Sequence, residues 1–154
     1  MTTIVGIDPG TRFIGIAVVR NGVLIHRQLR SFQGVWSLQK LKEIIHWLDA
    51  TMKYHGVTHV AIKIPDVFPT SLPFNQLIGT LNVFCGKKGI KPEYHSLSEI
   101  TARHCKGERK SRAEVMAVMV RRYPELMPEY TREQRNENAH YYKLFIALAA
   151  AHMQ

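Results

Sequence analysis

The sequence has few cysteines and no long hydrophobic run. Its two cysteines, Cys85 and Cys105, cannot form a disulfide framework and belong to no C-x-x-C motif, which favours a reducing, cytoplasmic location. The apolar run Phe145–Ala151 is far too short to span a bilayer. The chain enters an alternating strand pattern at once, so no signal peptide is expected. We therefore expect a cytoplasmic protein without a membrane partner.

Acidic residues are also scarce, and aspartate is the scarcest of them. There are 21 Lys+Arg against 12 Asp+Glu, which gives a net charge of +9, and the only aspartates are Asp8, Asp49 and Asp66. A basic balance of this size makes polyanions, and nucleic acid first among them, the expected partners. The 45% hydrophobic content excludes a disordered chain, and 154 residues fit one domain spanning 1–154.

The apolar periodicity predicts a three-stranded meander followed by alternating helices and strands. Asn21-Gly22 lies between two β-branched runs and favours a type I′ hairpin turn. The predicted strands are Thr3–Ile7, Phe13–Val19, Val23–Leu29, Val57–Ile64 and Glu93–Leu97. The predicted helices are 38–52, Ser71–Cys85, Ser98–Cys105, one from Ser111 to Tyr123 and Asn136–His152, with Pro124–Gln134 irregular. This order predicts an α/β fold whose five-stranded mixed sheet carries helices on both faces.

One acidic side chain stands out by its position in this pattern. Asp8 lies at the end of the first predicted strand, in the segment Gly6-Ile-Asp-Pro-Gly-Thr. A carboxylate at the end of a buried strand is costly to desolvate unless a cation binds it. The alternative is an ordinary solvated turn aspartate.

Four segments, in order, resemble the RuvC family of Holliday junction resolvases, within the ribonuclease H-like superfamily. The opening Gly6-Ile-Asp-Pro-Gly-Thr-Arg-Phe-Ile-Gly-Ile-Ala is similar to the family's first strand and turn. The others are Val60-Ala-Ile-Lys-Ile-Pro-Asp-Val-Phe, Lys110-Ser-Arg-Ala-Glu-Val and the Ala/Leu-rich segment from Asn136 to His152. The resemblance covers nearly the whole chain and implies a ribonuclease H-like fold.

The resemblance also implies a chemistry, two-metal hydrolysis of a phosphodiester with Mg²⁺ as cofactor. About four carboxylates are needed to hold two such ions. The matching positions here are Asp8, which would be the metal ligand, then Lys63, Glu137 and His140. Lys63 stands where the family carries Glu, and Asp66 is a poor substitute. The register of the last segment is ambiguous by about two residues, and an alternative alignment places only Ala139 and Tyr142 there.

The charge at these positions argues against two bound dications. One lysine, two carboxylates and a histidine supply about −1, far from the four negative charges of a complete site. We therefore predict that Lys63 pairs with Asp8 in place of a metal. The alternative is that Lys63 is a surface lysine whose head reaches solvent.

A second group of residues is expected to contact nucleic acid. Basic side chains bracket a polar loop and a helix N-terminus, which suits contacts to backbone phosphates. An aromatic side chain in the loop after the fourth strand could stack on unpaired bases. These candidates are Phe68, Arg103, Lys106, Arg109, Lys110 and Arg112. The alternatives are a solvated charged face and a phenylalanine packed in the core.

We interpret the sequence as a RuvC-like homodimer that recognises branched DNA, with a degraded nuclease site that does not cleave. The alternative is an active, Mg-dependent crossover junction endodeoxyribonuclease. An actin-like ATPase shares a related Asp-x-Gly-Thr turn, but that architecture needs two such domains. RNA is not separated from DNA as a partner by any feature of the sequence.

Overall fold

The computed structural model describes residues 1–67, 70–135 and 140–153. It contains five strands, which form one sheet. These are β1 (Thr3–Asp8), β2 (Phe13–Arg20), β3 (Val23–Ser31), β4 (His59–Ile64) and β5 (Glu93–Ser96). Within the described ranges, no helix is long and apolar enough to cross a membrane.

The sheet has the order β3-β2-β1-β4-β5. The first three strands are antiparallel, whereas β4 and β5 run parallel to β1, so the predicted mixed sheet is confirmed. Asn21 and Gly22 link β2 to β3 with φ angles of 52° and 79°, the two positive values that a type I′ turn requires. This topology makes β1 the central strand, with Asp8 at its end.

Helices α1 (Leu38–His55), α2 (Leu72–Lys87) and α3 (Leu97–His104) alternate with the later strands, and α4 (Arg112–Arg122) follows them. Serine side chains cap all four helices by accepting a bond from a backbone N–H of the first turn. Ser96 and Glu99 form a complete capping box at α3. Capping side chains therefore account for the starting points of these helices.

The segment 124–134, predicted to be irregular, is helical. A 3₁₀ turn (Pro124–Leu126) leads into α5 (Met127–Gln134). A proline is tolerated in the first turn of a helix, where its missing N–H is not needed. An ion pair between Glu129 and Arg27 then ties α5 to β3. The prediction of an irregular segment was therefore wrong, although the preceding helix does end before Pro124.

Helices cover both faces of the sheet, as predicted. Side chains at alternate positions of the strands separate into two buried cores. Val5, Ile7 and Ile62 pack with α1 and α2 on one face. Ala17 and Ala61 pack with α3, α4 and the last helix, α6 (Tyr142–Ala151), on the other.

Helix α6 lies unusually close to the sheet because two glycines face it. A Cβ atom on Gly6 would lie 1.8 Å from the carbonyl oxygen of Ala147. A Cβ on Gly15 would lie 2.5 Å from the carbonyl of Lys143. Both distances are far below van der Waals contact, so only glycine permits this approach. The position of α6 on β1 and β2 is therefore fixed by backbone contact.

We predict that Gly6→Ala destabilises the protein by about 3 kcal/mol or more, because the added methyl group would push α6 away from the sheet. The matched control is Gly79→Ala in α2, where a Cβ would meet nothing within 4 Å. The control should leave stability unchanged or raise it by up to about 1 kcal/mol. Urea unfolding of both variants measures this, and equal stability of the two would contradict the packing argument.

A half-buried histidine lies at the other end of α6. The hydroxyl of Tyr123 donates to the carbonyl of Gly22 at 2.8 Å and lies 2.7 Å from Nε2 of His152. Desolvation, together with the positive charge of Arg122, lowers the pKa of His152 to about 4. The folded protein therefore holds this ring neutral at pH values where the unfolded chain is partly protonated.

This depressed pKa makes the stability fall in acid. The contribution of neutral His152 is complete above the ordinary histidine pKa of about 6.5 and is lost as the pH falls towards 4. The loss is at most about 1.4 kcal/mol per pH unit. We predict that the melting temperature falls between pH 7 and pH 5 more steeply in the natural protein than in His152→Gln. Parallel curves for the two proteins would contradict this assignment.

Candidate functional site at the end of the central strand

The candidate site is built around the carboxylate of Asp8. Its side chain is 1% exposed although it ends a strand. Strand alternation places it on the same face of the sheet as Gly6, towards α6, whereas Ile7 points into the opposite core. A charge this deeply buried must be compensated by nearby groups of opposite sign.

Lys63 supplies one compensating charge. The parallel register pairs Ile7 with Ile62, and the same register carried one residue further sets Lys63 beside Asp8. The lysine nitrogen Nζ lies 3.7 Å from Oδ1 of Asp8. The ion pair predicted from the sequence is thus present in the structure, while a role for it in any reaction stays a prediction.

Lys143 supplies a second charge that the sequence analysis missed. It lies in the first turn of α6, and its Nζ is 3.2 Å from Oδ1 of Asp8 and 3.4 Å from the carbonyl oxygen of Pro9. No local sequence pattern pointed to this contact, because it depends on where α6 begins and on how closely α6 packs on the sheet.

The structure overturns one expectation about this segment. The predicted helix Asn136–His152 would include His140, but His140 precedes α6 and has a left-handed φ of 58°. Its ring stacks on Phe13, with ring centroids 3.9 Å apart. Glu137 lies outside the described residues, and so does Phe68.

Asp66 is occupied elsewhere. Its Oδ1 accepts a bond of 3.0 Å from the backbone N–H of Ser98 in the first turn of α3. The backbone and hydroxyl groups of Ser98 hold the pKa of Asp66 below its ordinary value. Asp66 therefore caps a helix, consistent with its dismissal as a replacement for the family's glutamate.

The residues around Asp8 do not fit a pair of divalent metal ions. Asp8, Lys63 and Lys143 together carry a net charge of +1, and two ammonium groups would repel a dication directly. Throughout 1–67, 70–135 and 140–153, no three His, Cys, Asp or Glu side chains are grouped as metal ligands. Oδ2 of Asp8 has no hydrogen-bond partner among the same residues, which leaves one open acceptor position. One such position cannot hold two ions that each require several oxygen ligands.

Aromatic and cationic side chains form a strip beside the site. We call it the aromatic strip, and its members are Arg12, Phe13, His140, Tyr142 and Arg112. The guanidinium carbon of Arg12 lies 5.7 Å from the Phe13 ring, and that of Arg112 lies 4.3 Å from the Tyr142 ring. His140 joins the two rings, at 3.9 Å from Phe13 and 6.2 Å from Tyr142. Interleaved rings and cations of this kind suit a single-stranded or unpaired nucleic acid segment.

The contact of Arg112 with Tyr142 also connects the predicted basic loop to Asp8. Tyr142 lies between Arg112 and Lys143, whose Nζ is 6.0 Å from the same ring. An open pocket of about 580 Å³ borders this contact and is lined in part by Ser111, Arg112, His140 and Tyr142. The basic side chains predicted to bind nucleic acid are all exposed: Arg103, Lys106, Arg109, Lys110 and Arg112. Arg112 therefore brings one end of the loop, at the N-terminus of α4, next to the lysine-filled site.

The fold, taken with these positions, is that of the RuvC Holliday junction resolvases. RuvC of Thermus thermophilus in complex with a Holliday junction substrate is similar to the chain at a TM-score of 0.77 and 15% identity, over 99% of this chain and 92% of that one. The yeast mitochondrial Holliday junction resolvase is similar at a TM-score of 0.61 and 9% identity, over 99% and 77% of the two chains. No protein-family model and no curated protein sequence matches the chain.

The charge of the site leads to a prediction about metal binding. Calorimetric titration with Mg²⁺ or Mn²⁺ should show no tight binding to the natural protein. Lys63→Glu alone should not create a site, because Lys143 remains 3.2 Å from Asp8. The double variant Lys63→Glu/Lys143→Asp changes the local charge from +1 to −3 and should bind Mn²⁺ measurably. Tight binding of two ions by the natural protein would overturn this interpretation.

Proposed function

We propose that the protein binds branched DNA through the RuvC fold and does not cleave it by a two-metal reaction. One observation carries the proposal: the carboxylate of Asp8, at the C-terminal end of β1, is paired with two lysines beside an exposed basic loop. A metal-dependent nuclease needs several carboxylates at this place, whereas a DNA-binding protein gains from positive charge there. The pairing therefore favours binding over two-metal cleavage.

The proposed DNA contacts fall into two groups. The basic loop, defined as Arg103, Lys106, Arg109, Lys110 and Arg112, contacts backbone phosphates, which supply affinity and salt dependence without reading sequence. The aromatic strip contacts unpaired bases, which a branch point exposes and a continuous duplex does not. Phe68, outside the described residues, stays a candidate for a further stacking contact. The two groups together explain a preference for branched over linear DNA.

We also propose that the protein acts as a homodimer. Helix α2 carries Leu72 and Val83 with more than half of each side chain exposed, and it borders a groove lined by Trp36 and Leu38. An apolar surface of this kind suits a dimer contact, and a two-fold dimer matches the pseudo-symmetry of a four-way junction. Both cysteines are free and buried, in keeping with the cytoplasmic location that we propose.

A single assay on a four-way junction tests the proposed function. A labelled junction and a linear duplex of the same length are incubated with the protein in EDTA and in Mg²⁺, at two salt concentrations. We expect binding of the junction at least tenfold tighter than of the duplex, two chains per junction, and no nicked product. Lys110→Gln should weaken binding, while Lys42→Gln, an exposed lysine on the opposite face of the sheet, should not.

Two outcomes would contradict the proposal in different ways. Equal affinity for junction and duplex would show that the protein does not recognise branched DNA. Nicking that requires Mg²⁺ and disappears in Asp8→Asn would show that a competent metal site forms on the DNA complex.

A further inference from the structure

We infer that Lys63 and Lys143 together bind one backbone phosphate of the nucleic acid, directly and without a metal ion. The inference rests on the proposed function, since it assumes that nucleic acid reaches this end of the sheet. In this inference Asp8 does not bind a metal ion. Its carboxylate instead holds the ammonium groups of Lys63 and Lys143 side by side.

The first argument is the excess of positive charge. One lysine suffices to neutralise Asp8, yet two lie within 3.7 Å of the same carboxylate oxygen. Asp66 also acts electrostatically on Lys63, although its own hydrogen bond goes to Ser98. The second ammonium group is therefore in excess of Asp8 at a partly buried position, where an anion would complete the site. A phosphodiester carries the single negative charge that would bring the site to neutrality.

The second argument is the number of free hydrogen-bond donors. An ammonium group has three N–H donors. Lys143 directs two of them to Asp8 and Pro9. Lys63, at 3.7 Å from Oδ1, is beyond hydrogen-bond distance and makes no hydrogen bond to any residue that the structure describes. The pair thus retains several donors for a ligand, and a phosphate has two unesterified oxygens to accept them.

The third argument is the layering of the site. The exposed fractions of the side chains are 1% for Asp8, 12% for Lys143 and 24% for Lys63. The carboxylate is thus the most deeply buried group of the site, and the two ammonium groups lie between it and the solvent. Because both contact Oδ1, their nitrogens lie at most about 7 Å apart, a gap that one phosphate can bridge with two bonds of about 2.8 Å.

The neighbouring residues extend the same surface. Tyr142 lies within 6.0 Å of Nζ of Lys143 and offers an aromatic face next to the proposed phosphate. Arg112, whose guanidinium carbon lies 4.3 Å from the same ring, leads to the basic loop. A phosphate on the lysine pair would therefore be continuous with the strip and the loop proposed to bind DNA.

The test is the salt dependence of junction binding, measured by fluorescence anisotropy in EDTA between 50 and 200 mM KCl. A plot of the logarithm of the association constant against log [salt] has a negative slope. Losing one phosphate contact should make this slope shallower by about 1. We expect this reduction in Lys63→Gln/Lys143→Gln, with affinity about tenfold lower at the lower salt concentration and no recovery in Mg²⁺. Lys42→Gln, on the opposite face, is the control and should keep the natural slope.

A further variant addresses folding. The triple variant Asp8→Asn/Lys63→Gln/Lys143→Gln removes all three charges, leaves no unpaired buried carboxylate and should show the same loss of slope. Circular dichroism melting verifies that each variant is folded.

The outcomes separate this inference from the proposed function. If the natural protein binds the junction but the folded triple variant retains the natural slope, the lysine pair does not hold a phosphate and only the inference falls. If the natural protein does not bind the junction at all, both the inference and the proposed function are contradicted.

Discussion

The site depends on the contact of a helix backbone with two strands. Gly6 and Gly15 leave no Cβ atoms between β1, β2 and α6, so α6 rests directly on the centre of the sheet. A helix held at ordinary distance would not bring the first-turn side chain of Lys143 to Asp8 and to the carbonyl of Pro9. In the turn after β1, a Cβ on Gly10 would lie 2.6 Å from the carbonyl oxygen of Phe13 and 3.2 Å from Nζ of Lys143. These three glycines therefore leave the space in which Lys143 reaches the buried carboxylate.

The same geometry explains why this fold can hold different kinds of charged group at the end of its central strand. The end of a central strand is a good place to concentrate charge, because the strands on either side and the helix above all direct side chains to it. Metal ions are one solution to the cost of burying a carboxylate there, and ammonium groups are another. With lysines in that position, the protein's own side chains compensate the charge of the carboxylate.

Much of the fold could be predicted because local signals were strong. The Asn21-Gly22 turn indicated the first hairpin, and the apolar periodicity predicted the strands and most of the helices. The pairing of Lys63 with Asp8 was predicted from the family resemblance and from the charge at the matching positions. One error concerns the segment 124–134, which is helical although the sequence predicted an irregular segment. Its prolines lie in the first turns of helical segments, where they are tolerated, so they did not break α5.

The role of Lys143 could not be read from the sequence for a different reason. Its position depends on where α6 begins, and His140, with its left-handed backbone, delays that start beyond the residue expected. The stacking of His140 on Phe13 is a contact between distant parts of the chain, which no local pattern encodes. Strand side chains could thus be assigned from periodicity, whereas the helix side chain required the tertiary structure.

The separation of the site residues along the chain affects the order in which the protein is assembled. Asp8 and Lys143 are 135 residues apart, so their ion pair closes one of the longest loops in the protein. During synthesis, β1 to β5 leave the ribosome well before α6, and until α6 docks one face of the central sheet lacks its cover. The complete lysine pair therefore forms late, which couples the binding surface to the finished fold and makes folding dependent on contacts of long sequence separation.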